Sequence, residues 1–154
     1  MADQSKLGFE FPVYTFTVEE EKIIEFAIAV SQKENKEQIN PIYYDEDAAK
    51  KAGYQGIPVP PTFPTISFFW TGGGLMATIK TLGIDISKLL HREEEYEYFG
   101  SIYAGDVLTR KMKVTDMFEK GKKERFVSVT VLETEIINQR GELVLKSRTR
   151  LMER

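Results

Sequence analysis

Few side chains in this sequence can do chemistry, and their types restrict what that chemistry is. His91 is the one histidine and there is no cysteine. Imidazole catalysis must therefore run through His91, and a thiol nucleophile or thiolate metal site is excluded. With so few nitrogen and sulfur ligands no metal is expected, and no cofactor is implied. The carboxylates that invite a catalytic reading are Asp106 and the run Glu93 to Glu95. Asp106, in "YAGD", stands where a turn needs a brace, and the glutamate run has the form of a solvated strand face. His91 heads a strand-like segment, where a histidine is first a structural hydrogen-bonding residue and only second a catalytic one. In "NPIYY", Asn40, Tyr43 and Tyr44 suit the lining of a tunnel, and packing of Tyr43 beneath a proline loop is the equal alternative.

The elements that must position these residues follow two periods. Phe11 to Phe16 reads as a strand, and Thr17 with Glu20 three residues on predicts a capping box. The helix it opens runs to about Ser31, with Ile23, Phe26, Ala27 and Val30 on one face. The charged "QKENKEQ" is a solvated loop, after which Asp45 is the predicted N-cap of a short helix that stops at Gly53. Pro58, Pro60 and Pro61 exclude helix and force an extended crossing. Thr62 is then predicted to cap a long helix, with Pro64 in its first turn. Ile66, Phe68, Phe69, Trp70, Leu75, Met76, Ile79 and Leu82 cover nearly its whole circumference, so it is expected to be buried all round. The triplet Gly72 to Gly74 costs that helix roughly 1 kcal/mol per glycine relative to alanine, so packing must hold it there or it breaks.

From His91 the period becomes two. Tyr96 and Tyr98 alternate with Glu95 and Glu97, and Leu108, Met112 and Val114 with Thr109, Lys111 and Lys113. The stretch from Arg125 to Ile137 is apolar on both faces for part of its length, as a central strand is, and Leu143, Leu145 and Leu151 share a face. "FEKGKK" and "NQRG" read as hairpin turns and "YAGD" as a tight turn, giving an antiparallel meander. Helices followed by strands make an α+β fold. One curled antiparallel sheet wrapped around a long central helix, the hot-dog arrangement, satisfies both patterns. Its exposed edges and partly uncovered helix predict pairing of two copies or two homologous domains.

The 154 residues are expected to form one domain, 1–154. A net charge of −3 with both signs dispersed argues against nucleic-acid or membrane-surface binding. The absence of cysteine, of a secretory-type N-terminus and of any run of roughly 20 apolar residues points to the cytoplasm.

"NPIYYDEDAAKKAGYQGIPVPPTF", the aromatic helix and "LLHREEEYEYFGSIYAGDVLT" together resemble the MaoC-like dehydratases, over roughly Phe11 to Met152. The likeness is to their FAS1-like N-terminal-domain branch, which includes the non-catalytic subunit of the mycobacterial hydroxyacyl-carrier-protein dehydratase. In catalytic members of the family an Asp-x-Asn-Pro-x-His motif activates water for addition to a trans-2-enoyl thioester, or runs the reverse dehydration. Asn40 and Pro41 match that motif, but Gln38 stands at the aspartate position and Tyr43 at the histidine position. An amide does not titrate, and a phenol of ordinary pKa about 10 is poorly matched to proton transfer near neutrality.

The resemblance therefore implies an acyl-thioester-binding subunit, for acyl-CoA or acyl-carrier-protein, that pairs with a catalytic MaoC-like subunit. Its substrate-binding residues would be Asn40, Tyr43, Gly56, Ile57, Pro58, Thr62 and Phe63. The equivalent of Gly56 to Phe63 in catalytic relatives presents N–H groups to the thioester carbonyl, and here three prolines reduce those donors. Two alternatives stay open: an active homodimeric hydratase or thioesterase with its acid–base groups relocated to Glu37 or His91, and a non-enzymatic acyl-thioester sensor.

Overall fold

The computed structural model describes residues 2–70, 74–122 and 125–154. Strand β1 (Tyr14–Thr17) leads into α1 (Glu20–Ser31), and α2 (Glu46–Lys51) follows after two short 3-10 turns. The central helical segment comprises α3 (Thr65–Trp70) and α4 (Gly74–Leu82), and β2 (Leu89–Tyr98), β3 (Val107–Lys122), β4 (Arg125–Ile137) and β5 (Leu143–Glu153) complete the chain. The five strands form one antiparallel sheet in the order β1-β3-β4-β5-β2. This is the α+β hot-dog architecture expected from the pattern.

Local chemistry accounts for most element ends. Asp45 accepts from the amides of Asp47 and Ala48 at 2.9 and 3.1 Å, capping α2 as predicted, and Gly53 follows at φ +94. The "NQRG" turn closes β4 onto β5: Asn138 Oδ1 accepts from Arg140 N and Glu142 N, and Gly141 takes φ +79. Val129 to Leu132 are buried on both faces of β4, which lies at the centre of the sheet.

Several expectations are corrected. The first strand begins at Tyr14, three residues late, although Phe11 N still bonds Met112 O at 2.9 Å. Thr17 lies in β1 and pairs with Val107, so Glu19 is the N-cap of α1, without a side-chain cap bond. Val30 is 54% exposed, because its turn of α1 projects beyond the packed face formed by Ile23 and Ala27. "QKENKEQ" contains a 3-10 turn at Lys36–Gln38. Thr62 does not cap the central helix, which starts three residues later at Thr65. Nor is that helix continuous among the described residues. Gly74 opens α4 at φ +69, and a Cβ there would meet the Phe69 carbonyl oxygen at 2.5 Å, so only glycine fits. Gly72 and Gly73 lie outside the described residues.

The strand order departs from a simple meander. β3, β4 and β5 are consecutive neighbours, but β2 lies at the far edge beside β5. After β2 the chain turns back to meet the proline crossing, where Pro58 bridges Tyr103, before it enters β3. Strand β3 continues through "FEKGK" to Lys122, so the expected turn does not begin at Phe118, and residues 123–124 lie outside the described residues.

The core has two halves. One, around α4, gathers Ile79, Leu82, Val114, Leu132 and Leu151; the other, around α1 and the start of α3, gathers Ile23, Phe63, Leu108, Ile136 and Leu145. The central helix is not buried all round. Phe69 and Met76 are 54% and 58% exposed, because one sheet covers only one side of it. Of the Trp70 side chain nothing is described.

Candidate functional site

A groove of about 470 Å³ opens where the proline crossing meets the end of β2. One wall is Ile42, Tyr43 and Tyr54; the others are Pro58, Val59 and Pro61 and the segment from Tyr98 to Ile102. Each wall has a local cause. Asn40 Oδ1 accepts from Ile42 N at 3.1 Å and holds the 3-10 turn Pro41–Tyr43, which carries Tyr43 inward. The crossing is tied to its neighbour by Val59 N to Ile102 O at 3.1 Å and Ala104 N to Ile57 O at 2.9 Å. Tyr98 closes the rim by donating its hydroxyl to the Pro61 carbonyl at 2.7 Å. Asp106 braces the far side as its position in the turn suggested, accepting from Tyr103 N at 2.8 Å and Gln139 Nε2 at 2.9 Å.

The groove is aromatic and neutral. Its titratable lining consists of the phenols of Tyr43, Tyr54 and Tyr98; it has no carboxylate, imidazole or amine among the described residues. Burial pushes the Tyr43 and Tyr98 hydroxyls above the ordinary tyrosine range. They are neutral donors at physiological pH. Such a surface can cover an apolar chain and donate to a carbonyl, but it offers no group poised to exchange a proton near neutrality.

The residues singled out in the sequence fall in different places. Tyr43 and Pro58 line the groove. Ile57 and Phe63 are buried beneath it, Phe63 edge-on to Phe26 with centroids 5.6 Å apart. Gly56 lies beside the Tyr103 ring, where a Cβ would find 3.8 Å of room. Thr62 is exposed and gives its carbonyl to Thr65 N, while the amides of Val59, Phe63 and Ile66 are likewise bound to backbone carbonyls. Gln38 accepts from Glu34 N at 3.1 Å within its own loop, and Glu37 beside it is exposed; neither lines the groove.

His91 lies elsewhere, on a smaller cavity of about 110 Å³ between α3 and the sheet, with its Nε2 3.1 Å from Glu94 Oε2. The two spaces are separated by a stitched partition. Tyr96 and Thr65 share a hydroxyl hydrogen bond, and two residues along β2 Tyr98 reaches Pro61.

Sequence reasoning missed Tyr54, Tyr98 and Phe99 in the groove and Arg110 in the cavity. Arg110 had a signal. It shares the inward parity of Leu108, Met112 and Val114, and a charge on the buried face of a strand asks for a reason. It is 3% exposed, donates from Nη1 to the Ser67 carbonyl at 2.8 Å and stands 5.6 Å from the Tyr14 ring centroid. Tyr98 had only the weaker mark of alternating with glutamates, and Tyr54 had none.

A curled antiparallel sheet holding a helix, with a proline-walled groove at one end, defines a hot-dog protein of the dehydratase type. The chain belongs to the family described as FAS1-like, dehydratase domain region, which it matches over residues 5–147. A relative is the UPF0336 protein of Thermobifida fusca, 35% identical over 147 residues that cover 96% of this chain and 89% of that protein. Among solved structures, the HadBC (3R)-hydroxyacyl-ACP dehydratase complex of Mycobacterium tuberculosis superposes with a TM-score of 0.73 at 25% identity, covering 96% of each chain. A MaoC-like dehydratase superposes at 0.75 with 21% identity, covering 97% of this chain and 42% of that one.

Proposed function

We propose that this chain, as one hot-dog unit, is the acyl-thioester-binding subunit of an (R)-specific enoyl-thioester hydratase, equally a 3-hydroxyacyl dehydratase. The acid and base come from a second hot-dog subunit. The groove holds the acyl thioester, CoA- or carrier-protein-linked, against Tyr43 and Pro58, and the partner adds hydroxide at C3 and a proton at C2. The observation that carries this reading is the groove's lining: three phenols, two of them pushed by burial further above the ordinary tyrosine range, and no carboxylate or imidazole among the described residues. Gln38 and Tyr43 at the positions of the catalytic motif support it.

Partnering has its own support. Edge strands β1 and β2 each have one neighbour, and Phe69 and Met76 are exposed on the central helix. Open edges and exposed apolar side chains favour association with another subunit. The HadBC dehydratase is itself a complex.

The test is hydration of crotonyl-CoA by the purified chain alone and by the chain co-expressed with a MaoC-like subunit carrying an intact Asp-x-Asn-Pro-x-His motif. Turnover is expected from the complex and only background from the chain. Turnover by the chain alone in the ordinary enzymatic range of about 1–10³ s⁻¹ would overturn the reading.

A further inference from the structure

The cavity beneath α3 has a polar floor and a buried charge. It lies between the two halves of the core, and the sheet face that floors it carries buried Thr134, Ser147 and Thr149 where a helix-packed sheet would ordinarily present aliphatic side chains. Arg110 stands at one end. Its side chain is almost wholly buried, it lines the cavity, and its Nε has no hydrogen-bond partner. Among the described residues no carboxylate pairs with it: its cross-strand neighbours are Tyr14 and Ile136, and the group it reaches across the cavity is the Ser67 carbonyl. Burial without a counter-charge depresses the guanidinium from its ordinary value.

A buried cation with an unmet donor is costly unless an anion completes it. The carboxylate that does line this cavity, Glu94, is at the other end. It is on β2, three strand-to-strand steps from β3, or about 14 Å at roughly 4.8 Å each, and it is engaged by His91. The space between, about 110 Å³, equals that of three to four waters at about 30 Å³ each and suits a small polar group on a short aliphatic stem.

We propose that this cavity is a carboxylate-binding site, in which the Arg110 guanidinium receives the carboxylate of a short aliphatic acid while Thr134 and Ser147 lie along its stem. The carboxylate belongs either to a free acid or to the far end of an acyl chain. The proposal does not rest on the groove's occupancy.

Calorimetric titration of the full chain with butyrate and with its neutral isostere butyramide tests it. Butyrate is expected to bind more tightly by about 10- to 100-fold, the range of a charge-assisted pair. Arg110→Met should remain folded, since an unpaired buried charge is commonly replaced by an apolar side chain without loss, and should erase the preference. Arg110→Lys should bind butyrate more weakly than the native chain yet still favour it over butyramide. Succinyl-CoA compared with butyryl-CoA separates the sources: a preference for succinyl-CoA assigns the site to an acyl terminus, and equal binding assigns it to a free acid. Equal affinity for butyrate and butyramide, no binding of either, or unchanged butyrate binding by Arg110→Met overturns the proposal. Loss of acyl-CoA binding with butyrate binding intact counts instead against the groove.

Discussion

The proline-walled groove, rimmed by Tyr98, and the cavity under α3, lined by Thr65, are opposites. The groove is about four times larger, is built on turns and crossings, and is aromatic and neutral. The cavity is small, stands on the central strands, and holds a buried guanidinium at one end with a histidine–glutamate pair at the other. The contrast places room for an acyl chain in one compartment and charge in the other. A hot-dog enzyme that did its own acid–base chemistry would need the two together.

The comparison breaks most completely if the wall beneath the groove is removed. Phe63 is 2% exposed and packs on Phe26, so Phe63→Ala should cost about 3–5 kcal/mol in urea unfolding and abolish ligand binding in the groove. Asp106→Ala comes next. It frees Tyr103 N and Gln139 Nε2 together, for an expected loss of about 1–3 kcal/mol, and loosens the groove's far side while leaving butyrate affinity in the cavity unchanged.

Tyr98→Phe is the smallest and most selective change, removing one hydrogen bond to Pro61 for about 0.5–1.5 kcal/mol. It also has a pH signature. Tyr43 and Tyr98 hold their protons more tightly folded than unfolded, so their stabilising contribution is complete at neutrality and below. Stability should fall as pH rises past about 10, where the unfolded chain releases those protons first. Tyr98→Phe should make that fall shallower, as measured by urea midpoints between neutral and alkaline pH.

How much of this was legible in the sequence divides along the same line. Elements set by local chemistry were readable: the Asp45 cap, the Gly53 stop, the Asn138 turn, the brace at Asp106 and the doubly buried β4. Those that depend on distant partners were not. Nothing in "LLHREEEYEY" says that β2 pairs with β5 and not β3, because pairing is decided when residues 99–106 return to the proline crossing. The central helix read as buried all round because periodicity counts apolar residues, and whether Phe69 and Met76 find a cover is settled outside this chain's own sheet. Tyr43 and Pro58 were identifiable for the groove through their place beside "NP" and in the crossing. Gln38 and Glu37, close by in sequence, are directed away by their own 3-10 turn.

The central claim is that the chemistry belongs to the partner and the acyl surface to this chain, and steady-state kinetics of the reconstituted pair test it most directly. Tyr43→Phe in this chain should raise KM for crotonyl-CoA while leaving kcat within about threefold, as the loss of a binding contact does. Replacing the histidine of the partner's Asp-x-Asn-Pro-x-His motif should lower kcat by about 10²-fold or more. A kcat loss of that size from Tyr43→Phe, with the partner's histidine variant still active, would contradict the account.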